Sequence, residues 1–301
     1  MSAQKYTILQ ICIISLLAFL LGTKAVLRHP DWFNGEKHND RLHVNLGRDQ
    51  ISTEPAERFI TLGSATSTED SGFLNYVLPI FRAATGLDVH VEAVGSDRAL
   101  AMAARGGVDA VLVHDLVGED NLVADGYGVD RRDVMHNDFV IVGPSYDPAG
   151  IRGRRDALTA FALIAENGDP FVSRGDGGGT YAMERRLWRS ARIEPEGHAW
   201  YRKLDKGVGA TLNFAAAVNA YTLVDRATWE NFKDRQSLEI LTEGDPVLFN
   251  LYGSILVNPA KWPDVKFNAA KKWQQWLTSR AGLDAITSYR IGGQELFFPT
   301  R

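Results

Sequence analysis

The sequence predicts an α/β fold of two lobes with a ligand cleft between them. Short apolar runs alternate with helical patterns, which is typical of strands and crossover helices in a parallel sheet. The alternation stops at a turn-rich stretch, Gly143–Ile151, and then starts again. We expect one hinge there and a second near Glu243–Phe249, where the chain returns to the first lobe.

Residues 1–25 are predicted to be a signal peptide. Lys5 precedes an apolar run, Ile8–Gly22, that is short for a membrane span but typical of a signal-peptide core. An uncleaved signal anchor is the alternative, because no clean cleavage motif follows. Cys12 is the single cysteine and lies in this run, so no disulfide, thiolate chemistry or Cys-bound zinc is expected in the mature chain. Residues 26–57 are polar and aperiodic and are predicted to be an extension.

The first lobe is predicted to combine residues 58–145 with 246–301. Its expected strands are Arg58–Leu62, Leu87–Val94, Asp109–Val113 and Asp138–Val142. Its expected helices contain Phe73–Phe81 and Ala99–Arg105, and two more, Val265–Leu277 and Ala281–Tyr289, close the chain.

The second lobe is predicted to span residues 146–245. Its expected helices are Arg155–Asn167, Gly179–Arg192 and Ala210–Ala220, its expected strands are Phe171–Ser173 and Tyr221–Val224, and a strand-rich stretch, Leu238–Val257, leads back to the first lobe. In such folds ligands lie at the carboxyl ends of strands and the starts of helices, which places the site in the cleft between the lobes.

Two strand-to-helix turns of the first lobe could seat an anion. The first carries Ser64, Thr66 and Ser67, and the second carries Ser96. Hydroxyls and free N–H groups at a helix start bind anions, although plain helix capping explains each turn equally well when it is taken alone.

The glycine-rich turn of the second lobe, Ser173–Thr180, is the most informative. Three consecutive glycines leave backbone N–H groups uncovered, and Arg174 and Thr180 bracket them. Arg174 supplies a permanent charge and a planar fork of donors. Asp176 would repel an anion, so we expect it to turn away and orient Arg174. A further turn before Thr211 has the same character.

The predicted ligand is a small oxyanion. Fully ionised tungstate, molybdate and sulfate offer only acceptors, so their site should hold donors. Phosphate keeps a proton near neutral pH and would favour a buried acceptor, for which Asp70, Asp97 and Asp176 are the candidates. The net charge of −4 and the absence of a basic cluster do not indicate nucleic acid as a partner.

No catalytic or metal-binding motif indicates an enzyme. The seven histidines are scattered without metal-ligand spacing, and no phosphate loop or nucleophile elbow is present. His114 ends a predicted strand at the cleft rim, where a structural role is the more ordinary interpretation.

Several long segments resemble the substrate-binding component of bacterial tungstate ABC transporters. They include SATSTEDSGFLNYVLPIF, VDAVLVHD, FVSRGDGGGT and ILTEGDPVLFNLYGSILVNP, and the similarity runs from about Arg58 to Pro299. The resemblance implies a type II periplasmic binding-protein fold, a monomer that binds without catalysis or cofactor, and delivery of tungstate to an ABC permease and its ATPase. It places the ligand on a set of side chains: Ser64, Thr66, Ser67, Ser96, Arg174 and Thr180.

Two departures from the family pattern bear on the ligand. Ala65 stands where the first turn usually has a hydroxyl residue, and Gly177 and Gly178 replace a polar pair in the glycine loop. If these positions contact the ligand, a donor is missing. Molybdate or another oxyanion therefore stays open as the ligand, as does a membrane-tethered signalling protein that kept the fold.

Overall fold

The computed structural model describes residues 58–300, in which strands and helices follow one another in three parts of the chain. The first part contains β1 (Phe59–Ala65), α1 (Thr66–Asp70), α2 (Phe73–Thr85), β2 (Asp88–Val94), α3 (Ser96–Ala103), β3 (Ala110–Val113), α4 (Leu116–Ala124) and β4 (Gly128–Pro144). The middle part contains α5 (Ala157–Asn167), β5 (Phe171–Ser173), α6 (Gly179–Ser190), β6 (Tyr201–Lys203), α7 (Val208–Val218), β7 (Thr222–Asp225) and α8 (Arg226–Asn231). The last part contains β8 (Leu238–Thr242), a 3₁₀ turn (Pro246–Leu248), β9 (Phe249–Val257), α9 (Phe267–Leu277), α10 (Arg280–Ser288), β10 (Arg290–Ile291), β11 (Gln294–Glu295) and β12 (Phe298–Pro299).

The main sheet has the strand order β12-β4-β9-β3-β1-β2, and β7 and β8 also pair with β4. β1 pairs in parallel with β2 and β3. β9 runs antiparallel to β3 and β4, and β4 is antiparallel to all its partners in the described chain. The expectation of a parallel sheet is therefore correct for β1–β3 and for the separate β5–β6 pair, but wrong for the strands that pair with β4 and β9.

The hydrophobic core divides into clusters on either side of the site. One pair of clusters forms around β1, β3 and β9, with Trp273 and Phe73 on one face of the sheet and Val113 and Leu122 on the other. A second pair forms around β5 and β7, with α5 and α6 in one cluster and α7 in the other.

β4 takes part in both halves of the core. Val134 and Met135 pack in the first half. Phe139 and Ile141 pack in one cluster of the second half, while Val140 and Val142 pack in the other. This alternation follows from the two-residue period of a strand. β4 and β9 thus carry the chain between the halves and bring strand ends and helix starts of both to one place.

Most predicted elements are present with shifted ends, and α4 and α8 were not predicted. The predicted strand Asp138–Val142 is the last third of β4. The predicted segments at residues 1–25 and 26–57 lie outside the described residues. No helix among residues 58–300 is long and apolar enough to cross a membrane.

Candidate anion-binding site

Arg174 is the centre of the site. It directly follows β5 and is only 2 % exposed. Its Nη2 donates to Oγ1 of Thr66 over 2.8 Å and to Oδ2 of Asp176 over 2.5 Å, and its Nη1 donates to Oγ1 of Thr180 over 3.3 Å. One buried guanidinium thus joins the start of α1 to the start of α6.

These contacts decide what the two threonines can offer. Each hydroxyl oxygen accepts a hydrogen bond from the guanidinium and donates to no residue between 58 and 300, so the hydroxyl hydrogens of Thr66 and Thr180 are available to a ligand. The Nε of Arg174 is buried and has no hydrogen-bond partner among the described residues. A buried donor without a partner costs free energy, and an anion placed here would supply the missing acceptor.

Of the five buried hydroxyls that have no hydrogen-bond partner within residues 58–300, two lie in the first helices of the site. They belong to Ser96, the first residue of α3, and to Thr68 in α1. Ser96 was predicted from its turn. Thr68 was not among the predicted residues, although its place two residues after Thr66 could have indicated it. Both hydroxyls can donate a hydrogen bond to a ligand that carries acceptor atoms.

The helices that start at this site receive no cap from the side chains of their N-cap residues. The N-cap residues of α3, α6 and α7 are Gly95, Gly178 and Gly207, and none provides a side-chain cap. α5, α8 and α10 are capped by the side chains of their N-cap residues, which are Asp156, Asp225 and Ser279, whereas α2, α4 and α9 are not. In α3 the Arg98 N–H donates to the Asp97 carboxylate over 2.7 Å. The first-turn N–H groups of α6 and α7 have no side-chain acceptor within residues 58–300, which is the arrangement that binds anions.

Two of the positions at which the sequence departs from the family pattern are N-cap positions of this kind. Gly178 is the N-cap of α6, and Ala65 is the N-cap of α1. A hydroxyl residue at either place could cap the helix with its own side chain. Its replacement removes one possible donor and also removes a competitor for the backbone N–H groups.

Ser64 and Ser67 differ from the other predicted residues because their hydroxyls have partners other than Arg174. Ser64 Oγ donates to the carbonyl of Leu112 over 2.9 Å, so its hydrogen is committed within the sheet. Ser67 Oγ lies 2.8 Å from Nε2 of His114. Thr211 is similar, since its hydroxyl donates to the carbonyl of Gly207 over 3.0 Å.

The glycine loop lies against the first half of the molecule. Gly177 has a φ of +72°, and a Cβ added there would be within 2.0 Å of the Asp97 carboxylate. A Cβ on Gly179 would lie 2.8 Å from both the ring and the carbonyl oxygen of His114. A side chain at Gly177 would displace the Asp97 carboxylate, and one at Gly179 would push the loop away from the backbone of His114.

The three acidic side chains that could accept a hydrogen bond from a protonated phosphate differ in their contacts and in the pKa shift that burial causes. Asp176 accepts from Arg174 through Oδ2 and from the Gly178 N–H over 3.1 Å through Oδ1, so it orients the arginine as expected. Burial raises the pKa of Asp70 and of Asp97 above their ordinary values.

Two cavities border the site. One of about 280 Å³ is lined by Thr66, Asp70 and Gly207, among others. The other, of about 810 Å³, is lined among others by His114 and Gly179.

A buried carboxyl group lies behind the site. Glu184 in α6 accepts through Oε1 from Tyr201 Oη over 2.8 Å and from Trp188 Nε1 over 3.2 Å. Burial raises the pKa of Glu184 to about 7. This group therefore titrates near neutral pH, close to the base of the glycine loop.

Comparison with known proteins agrees with this architecture. Residues 50–281 match the family model described as a PBP superfamily domain. The tungstate-binding protein TupA of Peptoclostridium acidaminophilum is 39% identical over 254 residues, which cover 83% of this chain and 88% of that protein.

Two solved structures are also similar. One is described as the tungstate ABC transporter of Geobacter sulfurreducens, with 45% identity, a TM-score of 0.71 and coverage of 77% of this chain and 98% of the other. The second is the tungstate-binding protein TupA of Desulfovibrio alaskensis, with 40% identity, a TM-score of 0.69 and coverage of 80% and 98%.

Proposed function

Because the chain belongs to the PBP superfamily, and within it to the family of the tungstate-binding TupA proteins, we propose that it binds one tungstate per chain for uptake by an ABC transporter. The ligand is held and released without chemical change. The proposal thus makes the protein a receptor rather than an enzyme.

The observation that carries the proposal is the environment of Arg174. The guanidinium is buried, it leaves the hydroxyl hydrogens of Thr66 and Thr180 free, and its own Nε has no partner in the described chain. Charge-assisted hydrogen bonds to an oxyanion are among the strongest that a protein makes. An ion with only acceptor atoms satisfies all these donors together.

We propose that side-chain donors from both halves surround the oxyanion. Arg174 and Thr180 come from the second half and Thr66, Ser67 and Ser96 from the first. Backbone N–H groups at the uncapped start of α6 complete the set. Ser64 is given a supporting role, because its hydroxyl hydrogen is already donated to Leu112.

Dianions without a proton fit this site better than phosphate. Among the described residues, the one acidic side chain in direct contact with Arg174 is Asp176, and both of its oxygens already accept from protein donors. A protonated phosphate would need a free acceptor. Molybdate has the same geometry and charge as tungstate and is the competing ligand to test.

The proposal places the binding domain outside the cytoplasm, exported by the N-terminal segment. The lobes would be residues 58–145 with 246–301, and residues 146–245, closing on the ion between them. The partners are the permease and ATPase subunits of the transporter. The protein would act as a monomer.

The direct test is calorimetric titration of the full chain with tungstate, molybdate, sulfate and phosphate. We expect one tungstate per chain, with molybdate competing and phosphate binding weakly or not at all. Absence of both heat and thermal stabilisation with all four ions would contradict the proposal. Tight binding of phosphate alone would keep the receptor function and change the ligand.

A further inference from the structure

A chain of buried hydrogen bonds runs from the oxyanion site into the strands that connect the two halves. His114, which follows β3, contacts Ser67 Oγ through Nε2 over 2.8 Å and Asn250 Oδ1 through Nδ1 over 3.0 Å. Asn250 Nδ2 donates to Asn137 Oδ1 over 2.7 Å, and Asn137 Nδ2 donates to Asp225 Oδ1 over 3.3 Å. All five side chains are buried.

Asp225, at the far end of this hydrogen-bond network, fixes the orientation of the two asparagine amides. Asp225 Oδ1 accepts from the backbone N–H of Thr228 over 3.0 Å, so it is an acceptor and Asn137 must turn its amide nitrogen toward it. The oxygen of Asn137 then faces Asn250, which must donate with its nitrogen. The remaining oxygen of Asn250 faces His114.

The direction of the amides determines the tautomer of the imidazole. Nδ1 of His114 faces an oxygen that can only accept, so Nδ1 carries the hydrogen. In a neutral ring Nε2 is then an acceptor, and the Ser67 hydroxyl donates its single hydrogen to it. In this state Ser67 presents only lone pairs to an oxyanion, which would repel them.

We propose that His114 controls the donor direction of Ser67, so that binding of the oxyanion is coupled to the uptake of one proton on Nε2 of His114. With Nε2 protonated, the imidazolium donates to Ser67 Oγ, and the hydroxyl hydrogen turns to the ion. This inference rests on the proposed function, because it takes Ser67 as one of the oxyanion's donors. His114 is a positioning residue, since it acts through Ser67.

The surroundings keep His114 neutral in the free protein. Burial lowers the pKa of His114 to about 4; the hydrogen bond from Nδ1 to Asn250 raises it, nearby Arg174 lowers it and Asp176 raises it. A dianion arriving next to Arg174 adds two negative charges, which favour the imidazolium. Other groups face the imidazole or line the cavity beside it, namely the rings of Tyr252 and Phe139, the carboxylates of Asp97 and Asp115, and the α6 arginines Arg185, Arg186 and Arg189.

Proton uptake is measured by titrating the full chain with tungstate at pH 7 in buffers of different ionisation enthalpy. The dependence of the observed heat on the buffer enthalpy gives the number of protons taken up. We expect close to one proton per tungstate. By linkage, the affinity should fall about tenfold per pH unit as the pH rises between 6 and 8.

Two variants separate this coupling from other sources of protons. His114→Phe keeps a ring of similar size without an acceptor for Ser67, and Ser67→Ala removes the hydroxyl. Both should still bind tungstate through the remaining donors, with proton uptake near zero and an affinity that no longer depends on pH in this range. Thermal unfolding shows whether each variant is folded, and Ser67→Ala alone decides the matter if His114→Phe does not fold.

The outcomes distinguish this inference from the proposed function. Tight binding of tungstate by the unmodified chain without proton uptake overturns the coupling and leaves the receptor function intact. Uptake that persists in Ser67→Ala also overturns it, because the coupling then does not act through the Ser67 hydroxyl. Absence of binding in the unmodified chain overturns the proposed function itself.

Discussion

Nη2 of Arg174 lies 2.8 Å from Oγ1 of Thr66, a residue 108 positions earlier in the chain. The contact joins a loop of the second half of the core to the first helix of the other half. It also keeps the threonine hydrogen available, since the hydroxyl oxygen is the acceptor. The same side chain therefore holds the two halves together and prepares them for an anion.

Replacement of Arg174 should be the most damaging single change for binding. In Arg174→Ala a buried, permanently charged donor is lost and Asp176 keeps its negative charge without its partner. We expect tungstate affinity to fall about a hundredfold or more, which corresponds to roughly 3 kcal/mol. Arg174→Lys retains the charge but not the planar fork and should be intermediate.

Arg280→Ala is the matched control for this experiment. The side chain of Arg280 is 89% exposed and pairs with Asp284 on the surface of α10. Calorimetry should show unchanged affinity in this variant. Equal binding by Arg174→Ala and Arg280→Ala would move the site away from the glycine loop.

Removal of the Ser96 hydroxyl should weaken ligand binding without lowering the stability of the free protein. Its Oγ is buried and has no partner within the described chain, so Ser96→Ala should leave the free energy of unfolding unchanged or raise it by up to about 1 kcal/mol. Because the hydroxyl is proposed to donate to the ion, affinity for tungstate should drop about fivefold. Thermal unfolding with and without tungstate measures both effects, and a loss of stability in the free variant would show that the hydroxyl has a partner.

A methyl group on Gly179 should weaken the fold. The added Cβ would lie 2.8 Å from the carbonyl oxygen of His114, so backbone must shift, at a cost of about 1–3 kcal/mol. Gly209 is the control, because it lies in the first turn of α7 and no atom of the described residues is within 4 Å of a Cβ there. Gly209→Ala should be neutral or slightly stabilising by denaturant unfolding. Equal stability of the two variants would contradict the close contact.

The burial of Glu184 should appear as a pH dependence of stability. Its pKa is about 7 in the folded chain against 4.5 as the ordinary value, so the folded state holds the proton more tightly. Its contribution to the free energy of unfolding therefore falls as the pH rises from about 4.5 to 7 and is constant above 7. Burial lowers the pKa of His114 from 6.5 to about 4 and gives the opposite slope between these values.

Comparison of Glu184→Gln with the unmodified chain isolates the carboxyl group. Gln keeps an acceptor for Tyr201 and Trp188 but does not ionise. The free energy of unfolding of the variant, relative to that of the unmodified chain, should increase as the pH rises from 4.5 to 7 and stay constant above pH 7. Parallel stability curves for the two proteins would show that Glu184 does not titrate in this range.

The α/β class and most elements could be predicted from the sequence, because their hydrophobic periods are local. Phe171–Ser173 is a strand with the predicted ends. The first two thirds of β4 were not predicted, since charged residues mask the strand pattern. Arg131 in that stretch pairs over 2.8 Å with Glu119, a buried carboxylate whose partner only the folded chain reveals.

The chemistry of the site could be predicted, but the direction of its hydroxyls could not. Ser64, Thr66 and Ser67 look alike in the sequence. In the structure the first donates to the carbonyl of Leu112, the second accepts from Arg174, and the third contacts His114. Each partner is 47 or more positions away, so no local pattern distinguishes them.

β4 pairs with β9 and β12 at one end and with β7 and β8 at the other. Because both halves of the core include β4, a truncation at any single position does not yield a fragment that contains one complete half. To transfer the anion site to another protein, the whole of residues 58–300 would have to be moved. The ion selectivity of the site would be changed by substituting residues within this protein.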